Sequence, residues 1–315
     1  MIIRTRFGRK LASISIIFSF LTCSSALNAS CTDRHDRQQA TAVASDSAAS
    51  DNDLKEDRDN TQDANSPDET LDNSVQESAT KEKPVVALLG DSMTWISGQK
   101  CNLPKGWAYY LDQAGIADTI MLFARSGATW TNCAATPIDT KAYSAVVEDH
   151  NVIYNQVIRL IDHCKNNPAP DKILVYAGAN DAWFDNKRPG LFEPNKRPLP
   201  EDIDSAKPNE FTTMEGSIML VVEMLRSHFP QAEITFLTPV EAGKIPTAKI
   251  NAVGDKIEEV GGKLGIRTLR GDRHIPLRHA EEAGKLRKYT TDGAHTNPAG
   301  ARLIADYLLK EVFTK

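Results

Sequence analysis

Short, apolar runs recur through the last three quarters of this chain, at residues 84–89, 119–123, 173–176, 234–237 and, more weakly, 266–269. The first of them, Pro-Val-Val-Ala-Leu-Leu closed by Gly90, is continuously apolar, as a strand buried on both faces must be. Helical patterns fill the intervals. Residues 107–114 form one, and 142–166 a longer one with Val146, Val147, Ile153, Val157, Leu160 and Ile161 at helical spacing. Others cover 211–228 and 248–264. A last helix is expected over 298–312, with Asn297 as N-cap and Pro298 in the first helical position. Strands alternating with helices predict an α/β domain with a mainly parallel, five-stranded sheet and right-handed crossovers. No internal repeat is visible.

Ligands of such sheets bind outside the carboxyl ends of the strands. Three short motifs fall there: Gly90-Asp91-Ser92 after the first run, Ser126-Gly127 after the second and Gly178-Ala179-Asn180-Asp181 after the third. A fourth, Asp292-Gly293-Ala294-His295, stands just before the last helix. Together they hold a nucleophile, a base, an orienting acid and three oxyanion donors, the inventory for acyl transfer through a serine ester. Gly-Asp-Ser turns and Asp-x-x-His pairs each arise by chance as capping turns and surface loops. The ordered set carries the inference.

These four blocks resemble those of the SGNH, or GDSL, hydrolases, which carry Ser, Gly, Asn and His in this order. The resemblance spans residues 84 to about 315. It implies a flavodoxin-like three-layer α/β/α fold and hydrolysis of esters or thioesters, from acetylated sugars to lipids. It implies further that Ser92 is the nucleophile, His295 its base and Asp292 the group that orients the imidazole. The oxyanion donors would be the backbone N–H groups of Ser92 and Gly127 and the side-chain amide of Asn180. Many members have Asn shortly before the second-block Gly, where this chain has Phe123-Ala124-Arg125-Ser126. Arg125 is therefore a candidate for a substrate carboxylate or, alternatively, the partner of a surface acid. No Gly-x-Ser-x-Gly elbow occurs, which argues against the larger α/β-hydrolase class.

Trp95, Trp130 and Trp183 each follow a catalytic candidate by three residues. Aromatic faces at one sheet edge suit a sugar ring, an acyl chain or an aromatic acyl group, and equally suit a core. Residues 186–208, rich in Pro, Lys and Arg, are expected to form a lid, a substrate-facing loop or a solvated face. Asp91 and Asp181 are expected to organise tight turns locally. His150, His163, His228, His274 and His279 lack a motif and are expected to be surface or structural residues.

Charge divides the chain further. Residues 1–31 carry four Lys/Arg and no acid, with an apolar stretch at 11–21, the pattern of an export signal. Cys31, after Ala29-Ser30, resembles the lipidated cysteine of bacterial lipoproteins better than Cys23 does; simple cleavage near Ala26 or Ala29 is the alternative. Residues 32–83 hold fourteen Asp/Glu against six Lys/Arg and no aromatic residue. They cannot bury enough apolar surface to offset the entropy of ordering, so a disordered acidic linker is expected there. Of the whole-chain net charge of -5, only -1 belongs to residues 84–315. A folded part with no basic excess or basic stripe does not suggest a nucleic-acid partner, and none is expected. Cys101 and Cys133 are candidates for pairing after export, and Cys164, on an expected helix, for a buried free thiol. The cysteine spacings do not resemble a zinc site, and no metal or cofactor is expected.

The sequence thus reads as an exported serine esterase, periplasmic or at the cell surface and lipid-anchored. Its partner would be a small-molecule or glycan ester, with a carbohydrate O-acetyl ester favoured. An O-acyltransferase, a lipid esterase or thioesterase, and a non-catalytic glycan-binding module remain alternatives.

Overall fold

The computed structural model describes residues 83–133 and 151–314. The export signal with Cys31, the acidic linker and the segment 134–150 with His150 lie outside the described residues. The element order begins β1 (Val85–Gly90), α1 (Ser92–Trp95), α2 (Trp107–Gln113), β2 (Thr119–Leu122), α3 (Ile153–Cys164), β3 (Lys172–Tyr176) and α4 (Ala179–Trp183). It continues through α5 (Met214–His228), β4 (Glu233–Leu237), α6 (Thr247–Lys263), β5 (Arg267–Leu269), α7 (Gly271–His274), α8 (His279–Glu282) and α9 (Pro298–Leu308).

The five strands form one parallel sheet in the order β2-β1-β3-β4-β5. Alternate residues of a strand point to opposite faces, and β1 feeds two cores accordingly. Ala87 and Leu89 pack with Val157 and Leu160 of α3, Ile218 and Leu225 of α5 and Ile250 and Ile257 of α6. Val86 and Leu88 pack with Trp107 and Leu111 of α2 and Ile304 and Leu308 of α9. Helices on both faces of a central sheet make the three-layer α/β/α sandwich expected from the alternation of runs.

Local signals set the helix boundaries. The helix expected from residue 211 begins at Met214 because Thr213 is its N-cap, accepting the Gly216 N–H at 3.1 Å. Asn297 caps α9 by accepting the Gly300 N–H at 3.0 Å, with Pro298 following as expected. Such a cap contributes about 1 kcal/mol relative to alanine. The regular α-helix ends at Leu308 and continues as a π-type turn over Leu309–Phe313.

The chain runs from β1 to β2 on one side and returns to β3 on the other. The sheet therefore has its switch point between β1 and β3, where connections leave in opposite directions and open a crevice beyond the strand ends. Gly90, the last residue of β1, is in register with Tyr176, the last of β3. A side chain at Gly90 would place its Cβ 2.4 Å from the Tyr176 carbonyl, so only glycine lets the two strand ends lie this close.

Candidate active site

Beyond these two strand ends lies a cavity of about 200 Å³. Ser92, Gly127, Asn180 and His295, drawn from all four sequence motifs, line it together with Ser126. Apolar side chains complete the wall, among them Met93, Trp183, Phe184, Val240 and Ile245. Among the described residues of the lining, His295 is the only ionisable side chain apart from the Tyr176 phenol.

Ser92 opens the single-turn helix α1. Asp91 caps that turn, its carboxylate accepting the Met93 N–H at 2.9 Å. Beneath it, Gln156 of α3 grips the end of β1 at both backbone groups. Its Oε1 accepts the Gly90 N–H and its Nε2 donates to the Gly90 carbonyl, each at 2.8 Å. The strand end that leads into the serine is thus held by a buried amide 66 residues from Gly90. Burial pushes the Asp91 carboxyl up to about 7, and the nearby Asp181 carboxylate adds to the rise.

Gly127 lies in the left-handed region at φ 77°, where a side chain would be strained. Its loop is pinned from three sides. The Arg125 N–H donates to the Gly90 carbonyl at 3.0 Å, Asn151 donates to the Ser126 carbonyl at 2.9 Å, and Asp181 accepts the N–H groups of Trp130 and Thr131. Asp181 also accepts the Thr131 hydroxyl. Asp181 therefore does more than organise its own turn, since it ties α4 to a loop fifty residues earlier. Burial raises the Asp181 carboxyl, against the opposing influence of Arg188 and these hydrogen bonds.

Asn180 donates one amide N–H to the Ala128 carbonyl at 2.9 Å, which orients the amide and leaves its second N–H. Among the described residues, neither the Ser92 nor the Gly127 backbone N–H donates to a protein acceptor.

The Asp292–His295 turn comes from the opposite end of the domain. One oxygen of Asp292 accepts the backbone N–H groups of Ala294 and His295 at 2.9 and 2.8 Å, and the other meets His295 Nδ1 at 2.8 Å. Burial would raise the Asp292 carboxyl, but these hydrogen bonds outweigh it and hold the group well below the usual carboxylate range. An ionised carboxylate only accepts, so Nδ1 carries the proton and Nε2 of neutral His295 keeps its lone pair. The ammonium of Lys244 lies 3.7 Å from the same Asp292 oxygen. Behind the turn, the buried carboxylate of Glu282 accepts hydrogen bonds from the Lys288, Tyr289 and Thr290 N–H groups and from the Thr290 hydroxyl. No motif in the sequence marks Glu282 or Gln156.

The aromatic expectation divides. Trp183 lines the cavity and is 40% exposed. Trp95, 37% exposed, is at the surface but does not line the cavity. Trp130 is not a substrate-binding residue: it is fully buried and packs edge-on against Phe236 at 5.0 Å. Asp181 fixes its backbone, and the indole fills the core on the α3, α5 and α6 side. Arg125 does not face the cavity either. It is buried and donates to the neighbouring Ala124 carbonyl at 2.9 Å. Residues 186–208 do not cover the cavity. Leu191, Ile203 and Ala206 anchor that segment in the core, and residues 193–200 border a separate open cleft of about 740 Å³.

Cys101 is a buried thiol, pushed up to about 12 by burial, and it is not in the disulfide for which the sequence made it a candidate. Cys164 is a free thiol but only half-buried, because it is the last residue of α3. The remaining described histidines have structural partners: His228 pairs with Asp204, His279 meets the Ala242 carbonyl, His163 packs on Phe123 and His274 stacks on Tyr307. Among the described residues, no group of three His, Cys, Asp or Glu side chains is arranged to hold a metal ion. None of the described helices is long and apolar enough to cross a membrane.

The sequence model of the GDSL-like lipase/acylhydrolase family matches residues 88–303. Among solved structures, the chain is similar to a protein from Lactobacillus plantarum, with 19% identity, coverage of 74% of this chain and 99% of that one, and a TM-score of 0.47. It is also similar to an acetyl xylan esterase (18% identity, 72% and 99% coverage, TM-score 0.44). A third similar structure is a member of the lipolytic G-D-S-L family from Veillonella parvula (12% identity, 72% and 97% coverage, TM-score 0.43). No curated protein matches the chain.

Proposed function

The chain belongs to the GDSL-like lipase/acylhydrolase family, and from that premise we propose that it cleaves small, uncharged carboxylic esters through an acyl enzyme on Ser92. The observation that carries this reading is the meeting of Ser92, Gly127, Asn180 and the Asp292-oriented His295 in one cavity. Nε2 of His295 takes the proton of the Ser92 hydroxyl as its oxygen attacks the ester carbonyl. The developing oxyanion is received by the Ser92 and Gly127 N–H groups and the second N–H of Asn180. The imidazolium, stabilised by Asp292, then protonates the leaving alcohol. Water, activated by the same imidazole, attacks the acyl-serine and regenerates the enzyme.

Among the described residues, the cavity lining carries no acidic, Lys or Arg side chain, which supports an uncharged acyl group. Trp183 supports a carbohydrate as the alcohol half, because its half-exposed indole offers a face to a sugar ring. A second reading, an ester or thioester with a longer acyl chain, is favoured by the wall of Phe184, Val240 and Ile245. Nitrophenyl esters of increasing chain length, compared with acetylated oligosaccharides, separate the two. The sugar-acetate reading predicts falling kcat/KM beyond short chains and acetate release from the glycan. Rising kcat/KM with chain length and no acetate from the glycan would contradict it. Acyl transfer to an added sugar at the expense of hydrolysis would instead identify a transferase.

The basic residues 4–10, the apolar stretch 11–21 and Cys31 support export with a lipid anchor, and the acidic composition of 32–83 supports a linker between anchor and enzyme. Metabolic labelling with a radioactive fatty acid, in wild type and C31S, tests the anchor.

A further inference from the structure

A buried carboxylate normally meets a cation or a metal, because removing its charge from water is costly. Glu282, at the end of α8, is completely buried, and no ion pair reaches it among the described residues. Four neutral donors surround it instead. Oε1 accepts the Lys288 and Tyr289 N–H groups at 3.2 and 2.8 Å. Oε2 accepts the Thr290 N–H at 3.0 Å and the Thr290 hydroxyl.

These donors lead directly into the turn that bears the triad acid and base. The Thr290 oxygen that donates to Glu282 also accepts the Gly293 N–H at 3.2 Å. Thr290 and Thr296 form an antiparallel bridge that closes the turn, and the Thr291 N–H donates to the His295 carbonyl at 2.8 Å. The backbone of Glu282 braces the same turn. A Cβ on Gly293 would lie 3.3 Å from the Glu282 carbonyl oxygen, and one on Gly243 only 2.1 Å from it. The neighbouring Lys244 N–H donates to the Gly293 carbonyl at 3.1 Å. Glu282 thus links the β4–α6 loop, residues 288–290 and the Asp292–His295 turn into one block.

We propose that Glu282 is a positioning residue for acyl transfer, acting through the Thr290 hydroxyl to hold the Asp292–His295 turn in register with Ser92. The proposal rests on the assignment of Ser92 and His295 as nucleophile and base. An apolar side chain at 282 would leave three peptide N–H groups unsatisfied, and glutamine would turn an amide donor towards at least one of them.

The test uses hydrolysis of nitrophenyl acetate by the full chain, with melting temperature as the check on folding. E282Q and T290V are made in the wild-type and H295A backgrounds, with T290S as the conservative control. Because a misplacement of about 1 Å at a catalytic group lowers rate on the order of 10²-fold, E282Q and T290V are expected to lower kcat by about 10- to 100-fold. KM should stay within about twofold, since the same argument concerns the reacting geometry and not substrate affinity. T290S should restore kcat. In the H295A background neither E282Q nor T290V should lower the residual rate further. Wild-type kcat in both E282Q and T290V, alongside a crippled H295A, would overturn the positioning role and leave the acyl-enzyme reading intact. An equal fall in both backgrounds would also overturn it, as a merely structural role predicts that result. T290V keeps the proposal testable if E282Q fails to fold. Full activity in H295A would remove the catalytic reading, and the positioning role with it.

Discussion

Nδ1 of His295 lies 2.8 Å from Oδ2 of Asp292, while the other carboxylate oxygen is already committed to the backbone N–H groups of Ala294 and His295. The carboxylate therefore orients both the turn and the ring, and fixes which ring nitrogen carries the proton. Asp292→Asn replaces the acceptor with a group that can donate, which favours the wrong tautomer. We expect kcat to fall by about 10⁴, by analogy with the serine-protease triad, and the melting temperature to fall at neutral pH, because the ionised carboxylate also holds the turn. Steady-state kinetics beside a thermal melt checks this, and a kcat within tenfold of wild type would remove Asp292 from the triad.

Asn180 offers a cleaner test of oxyanion stabilisation. Asn180→Ala removes the side-chain amide proposed as an oxyanion donor, and it also frees the Ala128 carbonyl. A loss of about 10²–10³ in kcat is expected, with KM nearly unchanged because the interaction strengthens in the transition state. A rise in KM with constant kcat would mean that Asn180 only binds substrate.

The tryptophans should separate stability from recognition. Trp130→Ala opens a large void beside Phe236 and should cost about 3–5 kcal/mol in urea unfolding. Trp183→Ala, at a half-exposed position, should change stability by about 0.5 kcal/mol or less. Its effect should fall on KM for the preferred ester. Equal destabilisation by both substitutions would contradict the division between core and cavity.

The two expectations differ because a spacing of three residues after a motif says nothing about where a side chain points. The sheet was legible, since strands buried on both faces must be continuously apolar. The edge strand β5 was faint because it has only three residues and begins at exposed Arg267. The four motifs that meet at the cavity were legible because each is a local set of residues. Gln156 and the wider role of Asp181 were not, because they work through hydrogen bonds to segments 66 and 50 residues away; Glu282 was not, because its partners six to eight residues on carry no motif. Arg125 stood out as a departure from the family pattern, yet its guanidinium turns back on its own loop.

Asp91 makes stability depend on pH. Its carboxyl is raised from an ordinary value of 3.8 to about 7 by burial, so between those values the folded state holds a proton that the unfolded chain has released. Its contribution to stability is therefore greatest below pH 3.8 and declines as pH rises to about 7, by at most about 1.4 kcal/mol per pH unit. Asp91→Asn keeps the acceptor for the Met93 N–H and cannot ionise. Urea unfolding across this range should give a flatter profile for the variant, and an unchanged slope would assign the dependence to other groups.

The central claim is a covalent acyl enzyme on Ser92. Turnover of a nitrophenyl ester, quenched in acid and followed by peptide mass analysis, should find the acyl mass on the peptide containing Ser92. Ser92→Ala should show neither adduct nor burst. Turnover without an adduct on that peptide, or wild-type hydrolysis by Ser92→Ala, would contradict the account.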